Sequence, residues 1–283
     1  MAIEAEKKDD EEKMAQAILR LVEEDPSLTL QRNSETHQTL LGGQGDIQLG
    51  IVMKKVKERY GINVKTVPQK IAYRETIKGS SDVQGKHKKQ SGGAGQYGDV
   101  HIRFSPSEKN FEFSEELFGG SVPKNYVPAV EKGLIESMDK GPLAGCKVVN
   151  IKAVLYDGSY HEVDSNDMSF KIAASLAFKK GIVEANPCLL EPIMKLEIKV
   201  PERYTGDVMG DMNKRRGRIL GMDPADKGTI LHAEAPQAEL FDYAVVLRAM
   251  TQARGSFEME FAKYEEVPAN IAEKIIAEHK AAE

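Results

Sequence analysis

Lys86-His87-Lys88-Lys89-Gln90-Ser91-Gly92-Gly93-Ala94-Gly95-Gln96-Tyr97-Gly98 runs directly into Asp99-Val100-His101-Ile102-Arg103-Phe104-Ser105. The two halves of this stretch ask for different structures. In the second half, Val100, Ile102 and Phe104 alternate with His101, Arg103 and Ser105, the period of a half-buried strand. In the first half, Gly92, Gly93, Gly95 and Gly98 stand where no core can be filled. Glycine loses more conformational entropy on folding than any other residue, so such a cluster marks unusual dihedrals or a group lying against bare peptide. A basic, glycine-rich loop at the end of a sheet, with Gln96 to hydrogen-bond and Tyr97 to stack, suits irregular RNA better than a duplex groove. On composition alone a surface hairpin fits equally well, its lysines blocking strand pairing at an edge.

The whole chain narrows that choice. Its 283 residues suffice for two or three domains, each with its own core. A formal charge of −5 and a pI near 5.8 exclude a generally basic nucleic-acid coat, so any such contact must be local. Cys146 and Cys188 are the only cysteines and have no metal-ligand spacing; they read as core thiols in a reducing compartment. Met1 to Met14 is acidic and lacks the apolar run of a signal peptide, and no apolar stretch is long enough to span a bilayer. A cytoplasmic protein without membrane contact is expected.

Periodicity divides the chain into three blocks. Residues 1–73 begin with Ala2-Ile3, continue with a helix burying Met14, Ile18, Leu21 and Val22 that ends at Asp25-Pro26, and give strands at Leu28–Gln31 and Gln38–Leu41. A second helix is expected to turn Ile47, Ile51, Val52 and Val56 inward and to end at Gly61, before a strand at Val64–Val67. That order is βαββαβ, the ferredoxin-like split. Residues 192–283 repeat it: a strand with Ile193, Leu196, Ile198 and Val200, a helix over Thr205–Arg216, strands near Leu220 and Thr229–Leu231, a helix marked by Phe241, Ala244, Val245 and Leu247, and a last strand with Phe257, Met259 and Phe261. Between them, residues 74–191 are first strand-rich, then show helices near Val127–Met138 and Asn166–Phe178 separated by a strand over Val148–Tyr156. The fold class is therefore α+β, two ferredoxin-like domains flanking a central α/β domain.

The segments QSGGAGQYGDV (90–100) and YDGSYHEVDS (156–165) resemble the two loops at the tip of the fourth domain of translation elongation factor G. AYRETI from Ala72, GPLAGCKV from Gly141, LLEPIMKLEIKVP from Leu189, TGDVMGDMNKRRG from Thr205 and the segment Glu239–Ala244 fit the same family in the same order. The resemblance covers essentially the whole chain, with the blocks as domains III, IV and V and a ribosomal-protein-like fold in the middle. It implies a C-terminal fragment of a translocation factor whose GTPase and β-barrel domains are absent, with Met1–Glu4 as a truncated first strand. One position departs: the family's GELHL stands here as Gly45-Asp46-Ile47-Gln48-Leu49, which leaves the paralogue open among translocation, recycling and protection factors. An RNA- or ribosome-binding protein without any GTPase is the rival reading.

By this resemblance Ser91, Gly92, Gly93, Gln96, Tyr97 and His161 face tRNA and mRNA. Lys86, Lys88 and Lys89, with Lys214, Arg215, Arg216 and Arg218 at a helix end, face ribosomal RNA. The bland alternative for that last run is helix capping. Ribosome, ribosomal RNA, tRNA and mRNA are the expected partners, and the chain is expected as a monomer. No catalytic or metal residues are expected: Glu162 and Asp164 beside His161 lack a convergent shell, and neither a nucleophile elbow nor HExxH occurs. GTP and magnesium belong to the missing domain. Gly79–His87 only superficially looks like a phosphate loop, and Asp82-Val83-Gln84-Gly85 and Asp207-Val208-Met209-Gly210 match the loose DxxG pattern too cheaply to count.

Overall fold

The computed structural model describes residues 1–33, 35–89 and 95–282. Two compact units emerge, Met1–Ala72 with Ile193–Ala262, and Tyr73–Pro192 with Lys263–Glu283. The first unit opens with β1 (Ala2–Ala5), α1 (Glu11–Glu24), β2 (Thr29–Arg32), β3 (Thr39–Gly42), α2 (Asp46–Tyr60) and β4 (Val64–Val67). Their sheet order β2-β3-β1-β4 is that of the ferredoxin-like split. Along α1 the buried residues Met14, Ala17, Ile18 and Leu21 recur at helical spacing. Asp25 ends the helix, its carboxylate accepting the Ser27 N–H at 3.0 Å and hydroxyl at 2.6 Å. Gly61 closes α2 in the left-handed conformation, φ 70°, which only glycine enters freely.

The inward face of α2 is Leu49, Val52 and Val56, and this corrects the sequence expectation, since Ile47 is 83 % and Ile51 50 % exposed. At about 100° per residue, positions 47 and 51 lie nearly opposite Leu49, and a helix cannot bury both sets. Gln48 stands where the family motif has histidine. Its amide donates to Asp25 Oδ2 at 2.8 Å and Ser27 Oγ at 2.7 Å while its carbonyl accepts the Gln44 N–H. The start of α2 is thereby tied to the end of α1.

The second unit carries β5 (Arg74–Ile77), β6 (Ser81–Lys89), β7 (Gln96–Pro106), β8 (Phe111–Glu115), α3 (Val127–Ser137), β9 (Lys147–Val148), β10 (Ile151–Ser159) and α4 (Asp167–Glu184), then the start of β11 (Pro187–Val200). One sheet has the order β6-β7-β10-β8, with β8 parallel to β10. Val100, Ile102 and Phe104 are fully buried, as their alternation requires, among Phe170, Ala173, Ala177 and Phe178 of α4. Glycine makes this contact close. A Cβ on Gly85 would fall 2.1 Å from the Ala173 carbonyl oxygen, and one on Gly98 2.5 Å from that of Ser169. The group that approaches Gly98 is therefore the protein's own helix.

The third block comprises the rest of β11, α5 (Thr205–Lys214), β12 (Arg218–Ala225), β13 (Gly228–Pro236), α6 (Tyr243–Met250) and β14 (Ser256–Glu266), followed by α7 (Ala269–Ala282). Strands run β12-β13-β11, with β14 on the other side of β11, repeating the order of the first block. Leu196, Ile198, Val208, Met212, Leu231, Tyr243 and Leu247 form its core. Phe241 and Val245 are about half exposed, because Tyr243 and Leu247 take the inward face of α6; Met259 and Phe261 are exposed too.

Helix α7, for which the βαββαβ reading has no place, belongs to the second unit. Its Ile271, Ala272, Ile275 and Ile276 pack with Tyr73, Ala144, Leu189 and Val267. Beside them Glu75, fully buried, accepts N–H bonds from Leu143, Ala144 and Cys146 at 2.9–3.0 Å. Burial pushes its carboxyl above the usual range, against the pull of those bonds.

Candidate nucleic-acid interface

The free ends of β6, β7 and β10 meet at one end of the second unit. Cross-strand register sets Lys86 against Asp99 on one side and Ser159 against Asp99 on the other. Asp99 lies on the outward face of β7, yet it is buried, because neighbours on that face close over it. Its carboxylate accepts from Gln84 Nε2 at 2.8 Å and from the Ser159 hydroxyl at 2.8 Å, and Lys86 Nζ stands 3.6 Å away. Tyr97 extends the network, its hydroxyl 2.7 Å from Ser159 Oγ and its ring 5.4 Å from Lys86 Nζ. Hydrogen bonding to Tyr97, then the charge of Asp99, holds the Lys86 ammonium above the usual lysine range.

A second set of bonds fastens the segment after β10 onto the start of β7. Tyr97 N–H donates to the Asp164 carbonyl at 2.9 Å, and the Ser165 hydroxyl donates to the Tyr97 carbonyl at 2.9 Å. Tyr126 adds its hydroxyl to the Ser165 carbonyl. Gly95 is needed at the join, since a Cβ there would fall 2.4 Å from the Asp164 carboxyl carbon. His161 rides on this platform. Its N–H donates to Ser165 Oγ at 2.9 Å, and its Nδ1 accepts N–H bonds from Asp164 at 3.2 Å and Val163 at 3.3 Å. The Asp164 carboxylate lies 3.5 Å from the same Nδ1. The imidazole is 48 % exposed and 6.4 Å from the Tyr97 ring, centre to centre. Asn166 then caps α4 by accepting the Ser169 N–H.

Of the residues singled out by sequence, the structure brings together Lys86, Gln96, Tyr97 and His161. Gln96 Oε1 meets His87 Nε2 at 2.8 Å, while Lys88 and Lys89 are exposed on β6 opposite Tyr97 and Gln96. Ser91, Gly92 and Gly93 lie outside the described residues. Asp99, Ser159 and Ser165, which hold the arrangement, escape sequence reasoning: no pattern marks an outward-facing aspartate as buried.

The basic run of the third block is placed differently. Lys214 is exposed at the end of α5. Arg215 turns inward, its side chain 11 % exposed. It donates to Asp211 Oδ2 at 2.7 Å, to Asp242 Oδ1 at 2.6 Å and to the Glu239 carbonyl, and lies over the Tyr243 ring. The guanidinium thus already faces several acceptors of its own block. Arg216, with φ 57°, pairs with Glu239 at 3.0 Å, and Arg218 with Glu234 at 3.1 Å.

The segments that look like nucleotide motifs do not fit one. Ser81–Lys89 is a strand paired along its length with β7, and Asp207 to Gly210 lie within α5, so no loop cradles a phosphate at either. Among the described residues no group of three His, Cys, Asp or Glu side chains is placed to hold a metal ion, and no helix is long and apolar enough to cross a membrane.

Comparison with known proteins agrees with this architecture. Family models match consecutively: Elongation Factor G, domain III over residues 1–68, Elongation factor G, domain IV over 68–186, and Elongation factor G C-terminus over 188–275. The fold is also similar to the crystal structure of ttk003000868 from Thermus thermophilus, with 44 % identity and a TM-score of 0.89 over 99 % of this chain. The chain spans only 42 % of that protein's length. It belongs to the elongation factor G family, and its matched segments are domains outside the GTPase.

Proposed function

We propose that the chain is the ribosome-facing part of a translocation factor. The tip built from Lys86, Tyr97 and His161, together with Ser91, Gly92 and Gly93, engages the tRNA–mRNA complex at the decoding site during GTP-driven movement, and exposed cations of the third block contact ribosomal RNA. The observation that supports this best is the double fastening of the tip. Buried Asp99 ties β6, β7 and β10 together, and Ser165 locks the following loop to Tyr97. A rigid platform presenting a ring, a half-exposed imidazole and lysines can act as a steric pawl, through packing and phosphate attraction with no bond broken. GTP and magnesium are assigned to a GTPase domain of the parent factor; the 283-residue chain is expected to show no magnesium-dependent GTP binding by calorimetry.

The test uses the full-length factor on ribosomes, with mRNA movement and phosphate release followed in single turnover. His161→Ala is expected to slow movement roughly tenfold, about 1.4 kcal/mol of barrier, with phosphate release nearly unchanged. Gly93→Val should act in the same direction by placing a branched side chain where backbone approach is proposed. Normal movement by both folded variants would refute the tip assignment, while equal loss of both activities would point to impaired docking.

A further inference from the structure

A third loop reaches the end of the second unit where the tip stands. Strand β8 runs parallel to β10, so both leave the sheet at the same end, and there the Glu116 N–H donates to the Leu155 carbonyl at 2.8 Å. The chain between β8 and α3 is then fixed on either side of its turn. Leu117 packs against the core of the unit, and Val122 is buried against Gly158, where a Cβ would fall 2.5 Å from Val122 Cγ2. Further on, Tyr126 stacks on Phe170 at 4.7 Å and donates its hydroxyl to the Ser165 carbonyl at 3.1 Å, which joins this loop to the segment that carries His161.

Between these anchors stands Phe118, 86 % exposed and the most exposed large apolar side chain among the described residues. Gly119 and Gly120 follow at φ 66° and 72°, the left-handed region that favours glycine, and the Ser121 N–H meets the Phe118 carbonyl at 3.4 Å to close the turn. Among the described residues no ring or cation lies against the Phe118 ring. An isolated exposed apolar residue on an ordinary surface carries no meaning. Phe118 differs in its setting, on a turn pinned at both ends and at the same end of the sheet as Tyr97 and His161. Glu115 and Glu116 precede it and Lys124 follows, so the loop brings no excess of positive charge to draw a phosphate. What it offers is a flat apolar face.

We propose that Phe118 is a further contact of the tip, a ring that stacks on an exposed nucleobase of the tRNA–mRNA complex. The inference rests on the tip reading above and adds to it a loop that neither of the two segments singled out by sequence contains. Stacking on a base needs no charge and tolerates any sequence, because every base has a π-face. Lys86, Lys88 and Lys89 on β6 meet phosphates in the same reading, so attraction and stacking are divided between separate loops of one tip.

The chain contains no tryptophan, so F118W supplies a single fluorescent reporter. The 283-residue chain carrying F118W is titrated with a short unstructured RNA and, in parallel, with an abasic RNA of the same length. The RNA with bases is expected to quench the indole and the abasic strand to leave it unchanged. F118A and F118L should each weaken RNA binding roughly fivefold, because leucine keeps apolar area but loses the π-face, and the slope of log affinity against log salt should stay the same, because an uncharged ring releases no counterions. Equal quenching by the two RNAs, or wild-type affinity in F118L, would overturn the stack. In the full-length factor on ribosomes, F118A is expected to slow mRNA movement by a similar factor with phosphate release nearly unchanged. Slowed movement with unaltered RNA binding would put Phe118 against a protein surface and overturn the base as its partner. Quenching by RNA with normal movement in both F118A and His161→Ala would sink the tip reading and leave the stack standing. Slowed movement in His161→Ala alone, with F118A normal in movement and in RNA binding, would sink the Phe118 contact alone.

Discussion

The tip of the second unit and the Lys214–Arg218 corner of the third block are equally basic as strings of letters, yet the fold uses them in opposite ways. At the tip, a buried acid gathers the strands from within, and Lys88, Lys89 and the His161 ring are left facing outward. At the corner, Arg215 is drawn in between Asp211 and Asp242, and Arg216 and Arg218 meet Glu239 and Glu234. A cation's availability thus depends on acceptors contributed from distant positions. Local charge density in the sequence does not measure it.

The largest expected effect breaks this comparison at the corner. Arg215→Ala removes the shared partner of Asp211, Asp242 and the Glu239 carbonyl, and leaves Tyr243 without its covering guanidinium. Losing one member of a mostly buried, hydrogen-bonded pair should cost about 2–4 kcal/mol, less than a fully enclosed pair because Asp242 is exposed. Urea unfolding measures it. An Arg215→Ala variant of unchanged stability but reduced RNA affinity would place this residue among the phosphate contacts.

Next in size is Asp99→Ala. Gln84, Ser159 and Lys86 lose their common acceptor, and an unmet buried donor costs about 1–3 kcal/mol. The melting temperature should fall, and amide exchange near Tyr97 and Ser165 should quicken. If exchange there stays slow, the Ser165 fastening suffices alone and Asp99 is dispensable to the tip. Glu75→Gln should cost a similar amount, about 1–3 kcal/mol, because one amide oxygen cannot replace a carboxylate that accepts three N–H bonds. Its pH signature separates it from Asp99. The folded carboxyl lies above its unfolded value, so the native state binds more protons between the two, and Glu75's contribution to stability is larger below the unfolded pKa and falls as pH rises through the folded one. Glu75→Gln should flatten that fall in denaturation curves recorded across the acid range.

Much of the fold is legible because its signals are local. Val100, Ile102 and Phe104 declare a strand by alternation, Gly61 ends a helix because it alone enters positive φ freely, and the doubled βαββαβ order follows from such marks. Where two apolar sets compete for one helix face, the sequence is ambiguous. Ile47 and Ile51 against Leu49 is decided by packing, as is Val245 against Leu247. Helix α7 does carry a helical stripe, Ile271, Ala272, Ile275 and Ile276, but a doubled βαββαβ order has no place for it, and the surface it covers becomes visible only beside Leu189 and Val267. The candidate site divides in the same way: Lys86, Tyr97 and His161 stand in or beside recognisable sequence segments, while the burial of Asp99 exists only once β6, β7 and β10 are paired.

The smallest expected effect sharpens the comparison without disturbing either region's fold. Lys88→Gln with Lys89→Gln changes two exposed side chains, so stability should shift by no more than about 0.5 kcal/mol. If both lysines neutralise phosphates on the ribosome, each substitution should lower the salt slope of association by about 0.7–0.9, and the effects should add because neither shares a partner with the other. Lys214→Gln, exposed but at the end of α5, provides the matched control from the other region. As a ribosomal RNA contact Lys214 should lower the slope by the same amount, whereas as a capping lysine it should alter helix stability by about 0.3–1 kcal/mol and leave the slope alone. Equal slopes for all three variants would mean that exposure alone selects the contacts, and the distinction between tip and corner would then hold for Arg215 but not for the lysines around it.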